Sequence, residues 1–80
     1  MKLPRNISGQ DLCKALISFG YSITRQKGSH IRLTTNIPSQ HHITIPNHNP
    51  IKIGTLSSIL ETISAHVGLS KEELIKKLFY

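Results

Sequence analysis

Lys27-Gly28-Ser29-His30-Ile31-Arg32-Leu33 is the stretch from which the rest of this chain is read. A tight turn runs directly into a short alternating segment. Gly28 supplies the positive φ that a two-residue hairpin turn needs. From Ser29 onward, polar and apolar residues alternate with the period of a half-buried strand. With Ile31 and Leu33 toward a core, His30, Arg32 and Thr34 face the other way. A side chain that titrates near neutral pH then sits two residues from a fixed cation, beside a turn containing a lysine. Such groups suit a phosphodiester, with cations to hold it and an imidazole to move a proton.

On either side of this turn the pattern extends to three strands. Tyr21 to Gln26 reads as the first, with Tyr21, Ile23 and the stem of Arg25 on the inner side. The Lys27-Gly28 turn leads into the second, Ser29 to Thr34. A looser connection, Thr35 to Gln40, contains Pro38. The third strand, His41 to Pro46, turns Ile43 and Ile45 inward and His42 and Thr44 outward. Together they form an antiparallel meander with one apolar face. The other face carries Ser22, Thr24, His30, Arg32, Thr34, His42 and Thr44, and is rich in hydrogen-bonding groups and poor in carboxylates.

Helices flank the meander. After a lead-in from Lys2 to Asn6, Ser8 is an N-cap, Asp11 completes a capping box, and Ile7 and Leu12 occupy the staple positions. Leu12, Ala15, Leu16 and Phe19 form an apolar stripe at helical spacing, and Gly20 stands where a left-handed terminator belongs. Cys13 and Lys14 fall off that stripe, which makes Cys13 a boundary residue. Beyond the polar loop Asn47 to Gly54, Thr55 can cap a second helix with Leu56, Ile59, Leu60, Ile63 and Val67 as its stripe and Gly68 at its end. Ser70 and Glu73 make another capping box, opening a last helix over about residues 70–79. Three antiparallel strands cannot bury their apolar face alone. The expected fold is therefore an α+β two-layer sandwich in the order α-β-β-β-α-α, with the helices on one face of the sheet.

At 80 residues the chain reads as one domain, 1–80, with no internal repeat or linker to divide it. The single cysteine, Cys13, allows no internal disulfide, so a reducing cytoplasm is the expected setting. No apolar run approaches membrane-spanning length, and Met-Lys-Leu-Pro-Arg has no apolar stretch behind it, so neither a membrane anchor nor a secretory signal is expected. Charge is uneven. Residues 1–60 hold seven lysines and arginines against one aspartate, whereas residues 61–80 hold three lysines against three glutamates. All the excess positive charge lies in the part containing the hairpin, which favours a polyanionic partner.

The histidines first suggest a metal. Adjacent His41 and His42 on one strand point to opposite faces, however, and no cysteine pair or carboxylate cluster completes a ligand set, so no metal or cofactor is expected. Asp11 is the only aspartate, no strand–Ser–helix elbow is present, and the glycine–lysine pattern of a Walker loop is absent, which disfavours hydrolase triads and nucleotide cradles. His30 remains as a general acid or base. A histidine can take a proton from a ribose 2′-hydroxyl or give one to a leaving 5′-oxygen. Lys27, Arg32 and the Gly28–Ser29 amides stand near it for the charge that develops on phosphorus.

Gly28-Ser29-His30 after a strand, Ile45-Pro46-Asn47-His48, Ile53-Gly54-Thr55-Leu56 followed by Ile59-Leu60, and Gly68-Leu69-Ser70 together resemble the HicA (YcfA-like) toxin family. Ser8-Gly9-Gln10-Asp11-Leu12 fits as well, and the similarity spans nearly the whole chain. The resemblance implies a fold like that of the double-stranded-RNA-binding domain. It also implies endoribonuclease activity on messenger RNA without a metal, His30 as the catalytic residue, and neutralisation by a HicB-like antitoxin. Leu33 departs from the family pattern, where an aromatic is common. So do the longer Gly54–Gly68 span and the extra helix after it. By position, Lys27 and Arg32 would hold the scissile phosphate, Gly28 and Ser29 would contact the RNA beside them, and Arg25 and Lys52 would be more distant RNA contacts. Two other readings stay open: a non-catalytic RNA-binding module of the same fold, and a partner for protein alone.

Overall fold

Two local signals set the helix starts. The Ser8 side chain accepts from the Asp11 amide at 3.0 Å and the Asp11 carboxylate accepts from the Ser8 amide at 3.2 Å; Ser70 and Glu73 repeat the exchange at 3.1 and 3.2 Å. Each pair satisfies orphan amides at a helix start. The computed structural model describes residues 3–80; Lys2, part of the expected lead-in, lies outside them. The elements are α1 (Gly9–Ser18), β1 (Ser22–Lys27), β2 (His30–Thr35), β3 (His41–Pro46), α2 (Ile53–Val67) and α3 (Lys71–Phe79). Their order and the three-stranded antiparallel meander β1-β2-β3 agree with the α+β reading.

The core lies between the sheet and the helices. Ile31 and Leu33 from β2 and Ile43 and Ile45 from β3 are buried beneath Leu12 and Leu16 of α1, Leu56, Leu60 and Ile63 of α2, and Leu74 and Ile75 of α3. α3 packs against both α1 and α2. It is tied to α2 by Lys71, which hydrogen-bonds Ser57 and pairs with Glu61 at 3.5 Å. Because α1 touches the sheet on one side and α3 on another, its buried surface is wider than one stripe. Cys13 is in the core at 3% exposure rather than at the boundary, on the flank of α1 that meets Ile23, Gln26 and Ile31 of the sheet, and burial pushes its thiol pKa up.

The hairpin turn falls one residue later than expected, on Gly28-Ser29 rather than Lys27-Gly28, because Lys27 pairs with His30 and is still in the strand; β1 and β2 shift by one residue with it. Two further differences are larger. α2 starts at Ile53 with Lys52 in the cap position and no side-chain cap, rather than at Thr55. The preceding loop is held without one: the Ile51 amide donates to the Ile7 carbonyl and the Gly9 amide to the His48 carbonyl, both at 2.8 Å, and Ile51 is buried. Gly9 permits this clamp, since a Cβ there would run into the Pro46 carbonyl and approach the Asn47 Cα to 2.8 Å.

The second difference is in β1. Ser22 pairs with Thr34 and Ile23 with Leu33, but Arg25, not Thr24, is the next partner, opposite Arg32. Thr24 is an extra residue, a β-bulge. Strict alternation from Tyr21 and Ile23 would put Arg25 on the helix side. The inserted residue moves Arg25 and Lys27 to the outer face with Arg32 and His30. Gln26 takes the helix side instead, where with Ile23 and Ile17 it borders a groove against α1. The expected inward stem of Arg25 is therefore corrected, and Ile23 keeps 48% of its surface exposed at the edge where β1 packs on α1, whereas β3 at the other edge packs on both α1 and α2.

Candidate functional site

The β1–β2 hairpin turns on two residues, Gly28 and Ser29, so Lys27 is the last residue of β1 and pairs directly with His30. Gly28 has φ +58°, and Ser29 is not among the residues of positive φ. That sign pattern belongs to the II′ hairpin turn, with glycine at its first central position. The Ser29 carbonyl accepts from the Asn47 amide at 2.7 Å, fastening the turn to the exit of β3. His30 thus begins its strand beside a turn that is held on both sides.

Around this turn lies an open cleft of about 500 Å³. Arg25, Lys27, Gly28, Ser29, His30 and Arg32 all line it, as the sequence positions suggested, and Thr44 completes the wall. Thr44 was expected on this face but not as part of the site; its place follows from its pairing with Arg32 across β2 and β3. Lys52 is not in the lining and stands at the start of α2. Arg25 joins by way of the bulge, opposite Arg32 in the ladder. His30, Arg25 and Lys27 are exposed, and Arg32 is half-buried.

Among the described residues, no carboxylate lines the cleft. Asp11 and Glu73 are engaged in their capping boxes, which hold both carboxyls below their ordinary pKa through hydrogen bonds from Ser8 and Ser70. Three cations around one imidazole, with no anion in the lining to neutralise them, make a site for a negatively charged oxygen group. Thr44 adds a hydroxyl. Chemically, the cleft can hold a phosphate and exchange one proton with it or with a neighbouring hydroxyl.

The remaining histidines separate as the strand period requires. His41 turns inward, where its Nδ1 lies 3.1 Å from the Tyr21 hydroxyl and its ring stacks on His66 at a 4.2 Å centroid separation. Burial first, and the neighbouring His66 and His42 next, hold the His41 pKa below the ordinary histidine value. His42 turns outward, its Nδ1 2.7 Å from the Thr34 hydroxyl. Among the described residues, no three His, Cys, Asp or Glu side chains come together as a metal-holding group, and no helix is long and apolar enough to cross a membrane.

Neither a curated protein nor a solved structure matched the chain. A family model described as HicA toxin of bacterial toxin-antitoxin matches residues 9–64, from the first residue of α1 into α2, and leaves α3 outside the match. This span covers most of the chain and includes the hairpin and the whole sheet. The chain belongs to the HicA toxin family of bacterial toxin–antitoxin systems.

Proposed function

We propose that this protein is a metal-independent endoribonuclease that cleaves messenger RNA in the cytoplasm, and that a HicB-like antitoxin neutralises it by covering the cleft. The observation that carries the reading is the gathering of Arg25, Lys27 and Arg32 around His30 in a cleft lined by no carboxylate. In this reaction the ribose 2′-oxygen attacks the adjacent phosphorus, the bond from phosphorus to the 5′-oxygen breaks, and a 2′,3′-cyclic phosphate and a 5′-hydroxyl result. His30 takes the 2′-hydroxyl proton or supplies the proton to the departing oxygen. The cleft is open to solvent, so water serves at the other end. Arg32 and Arg25 offer paired N–H donors to the phosphoryl oxygens, and Lys27 adds a point charge. The Gly28 and Ser29 backbone lies at the same end of the cleft. Lys52, outside the lining, meets the RNA farther from the scissile bond.

The test is incubation of the purified protein with long single-stranded RNA in EDTA, beside His30→Ala. Fragments from the wild type alone support the assignment. RNA that is retarded on a gel but left intact would instead favour the non-catalytic RNA-binding module. RNA neither cut nor retarded would leave the basic face to a protein partner.

A further inference from the structure

The outer sheet face has two chemically different halves. At the hairpin end, the rows Lys27–His30 and Arg25–Arg32–Thr44 carry the cations. The next row, Ser22–Thr34–His42, with Thr24 of the bulge beside it, carries hydroxyls and one imidazole, with no lysine, arginine or carboxylate. These side chains form a connected ladder across all three strands. Thr24 Oγ1 donates to the Arg32 carbonyl at 3.4 Å and lies 2.9 Å from Thr34 Oγ1; Thr34 Oγ1 lies 2.7 Å from His42 Nδ1.

All three contacts can be hydrogen bonds at once in one direction only. The Thr24 hydroxyl proton goes to the Arg32 carbonyl, so Thr34 donates to Thr24, and Thr34 Oγ1 then accepts from His42 Nδ1–H. In that arrangement Nε2 of His42 is left as a bare lone pair. The ring is exposed on the same face as His30. Thr34 lies four residues along β2 from His30, a rise of ~13 Å. That is too far to share the nucleotide whose phosphate sits at His30, and within reach of a base farther along the same strand.

Resting on the ribonuclease reading above, we infer that His42, held by Thr34 and Thr24, is a base-binding subsite for single-stranded RNA that favours a base carrying an exocyclic amino group. Its hydroxyls and imidazole offer no fixed charge to a phosphate, whereas an aromatic ring and a fixed acceptor are what an unstacked base engages. Cytosine and adenine direct amino hydrogens toward such a lone pair. Uracil offers a single imino hydrogen between two carbonyl oxygens that repel it.

The test compares wild type, His42→Ala and Thr34→Val on oligocytidylate and oligouridylate. Wild type should show the lower KM on oligocytidylate. His42→Ala should raise that KM at least about fivefold, in line with loss of one stacked base, keep kcat within about twofold, and remove the preference. Thr34→Val leaves the ring in place but frees its orientation, and should weaken the preference without removing binding. Equal KM values for wild type and His42→Ala would overturn the inference. So would a fall in kcat as large as the rise in KM, since His42 would then act on the reacting atoms or on folding; matching thermal melts exclude the latter. Wild-type protein that leaves both oligomers and long single-stranded RNA intact refutes the ribonuclease reading itself. The subsite is then judged by fluorescence anisotropy with the same oligomers, where the cytidine preference and its loss in His42→Ala are still expected, and their absence refutes it.

Discussion

Ile23 of β1 and Leu33 of β2 sit opposite each other on the helix-facing side of the sheet, yet Leu33 is fully buried while Ile23 keeps 48% of its surface. The difference extends to the whole strands. β2 is flanked by strands on both sides and alternates cleanly between buried and open positions; all six residues of β1 are exposed. The inner side of β2 therefore works for the fold. β1 contributes little to the core and is free to carry two cations that would be costly anywhere inside it. On the proposed ribonuclease reading, stability and chemistry are divided between neighbouring strands, and His30, at the open end of β2, is where the two meet.

If that division holds, the largest effect falls on catalysis. His30→Ala should lower the rate of RNA cleavage by roughly 10²–10⁴-fold while leaving the denaturant midpoint near wild type, because His30 is exposed at the strand end. A matching loss of stability would break the comparison at its centre. The paired apolar residues test the other side. Leu33→Ala should cost about 2–5 kcal/mol in urea unfolding, as Leu16→Ala should in α1, since both are fully buried. Ile23→Ala should cost less than about 1 kcal/mol; equal costs would mean that β1 is as much a core strand as its neighbour.

Smaller effects sharpen the picture. Arg25→Ala and Lys27→Ala should each lessen the slope of log RNA affinity against log salt by about 1, with unfolding free energy within about 0.5 kcal/mol of wild type. An unchanged slope for Arg25→Ala would put its side chain off the RNA path despite the bulge. The smallest effect concerns pH. His41 is held below the ordinary histidine pKa, so the unfolded chain takes up its proton first as pH falls. The stability from keeping this ring neutral is complete above the ordinary value, near 6.5, and is lost as pH falls through the lowered one. Wild-type Tm should thus drop more between about pH 7.5 and about pH 5.5 than that of His41→Gln. Parallel curves would mean that the stack on His66 does not couple to folding.

What was legible in the sequence was what is encoded locally. Ser8 with Asp11 and Ser70 with Glu73 announce their helices because donor and acceptor are three residues apart. The alternation of Ile31 and Leu33, and of Ile43 and Ile45, reads directly as burial because each of these strands runs without interruption. Thr24 could not be recognised in this way. A bulge is a property of the pairing between strands, and nothing in Ser22-Ile23-Thr24-Arg25 says which residue will lack an opposite number. Cys13 is missed for a related reason, since its burial depends on the sheet, reached only through tertiary packing, closing on the flank of α1 beside Ile23, Gln26 and Ile31. Most of the cleft was legible because its residues cluster about one turn. Thr44 reaches it only through register, and Lys52 was assigned to the RNA surface by charge alone, without a geometric reason to stand near His30.

The bulge also bears on how this strand tolerates changes of length. Thr24 adds a residue between Ile23 and Arg25 without disturbing the partners of either. A chain lacking that position would run as a regular strand and still show Arg25 and Lys27 beside His30, losing only the Thr24 hydroxyl. Removing one residue between Arg25 and Gly28 would instead exchange the two faces or break the hairpin. In comparisons among related chains, a gap before Arg25 is compatible with the same surface, whereas one after it marks a different surface.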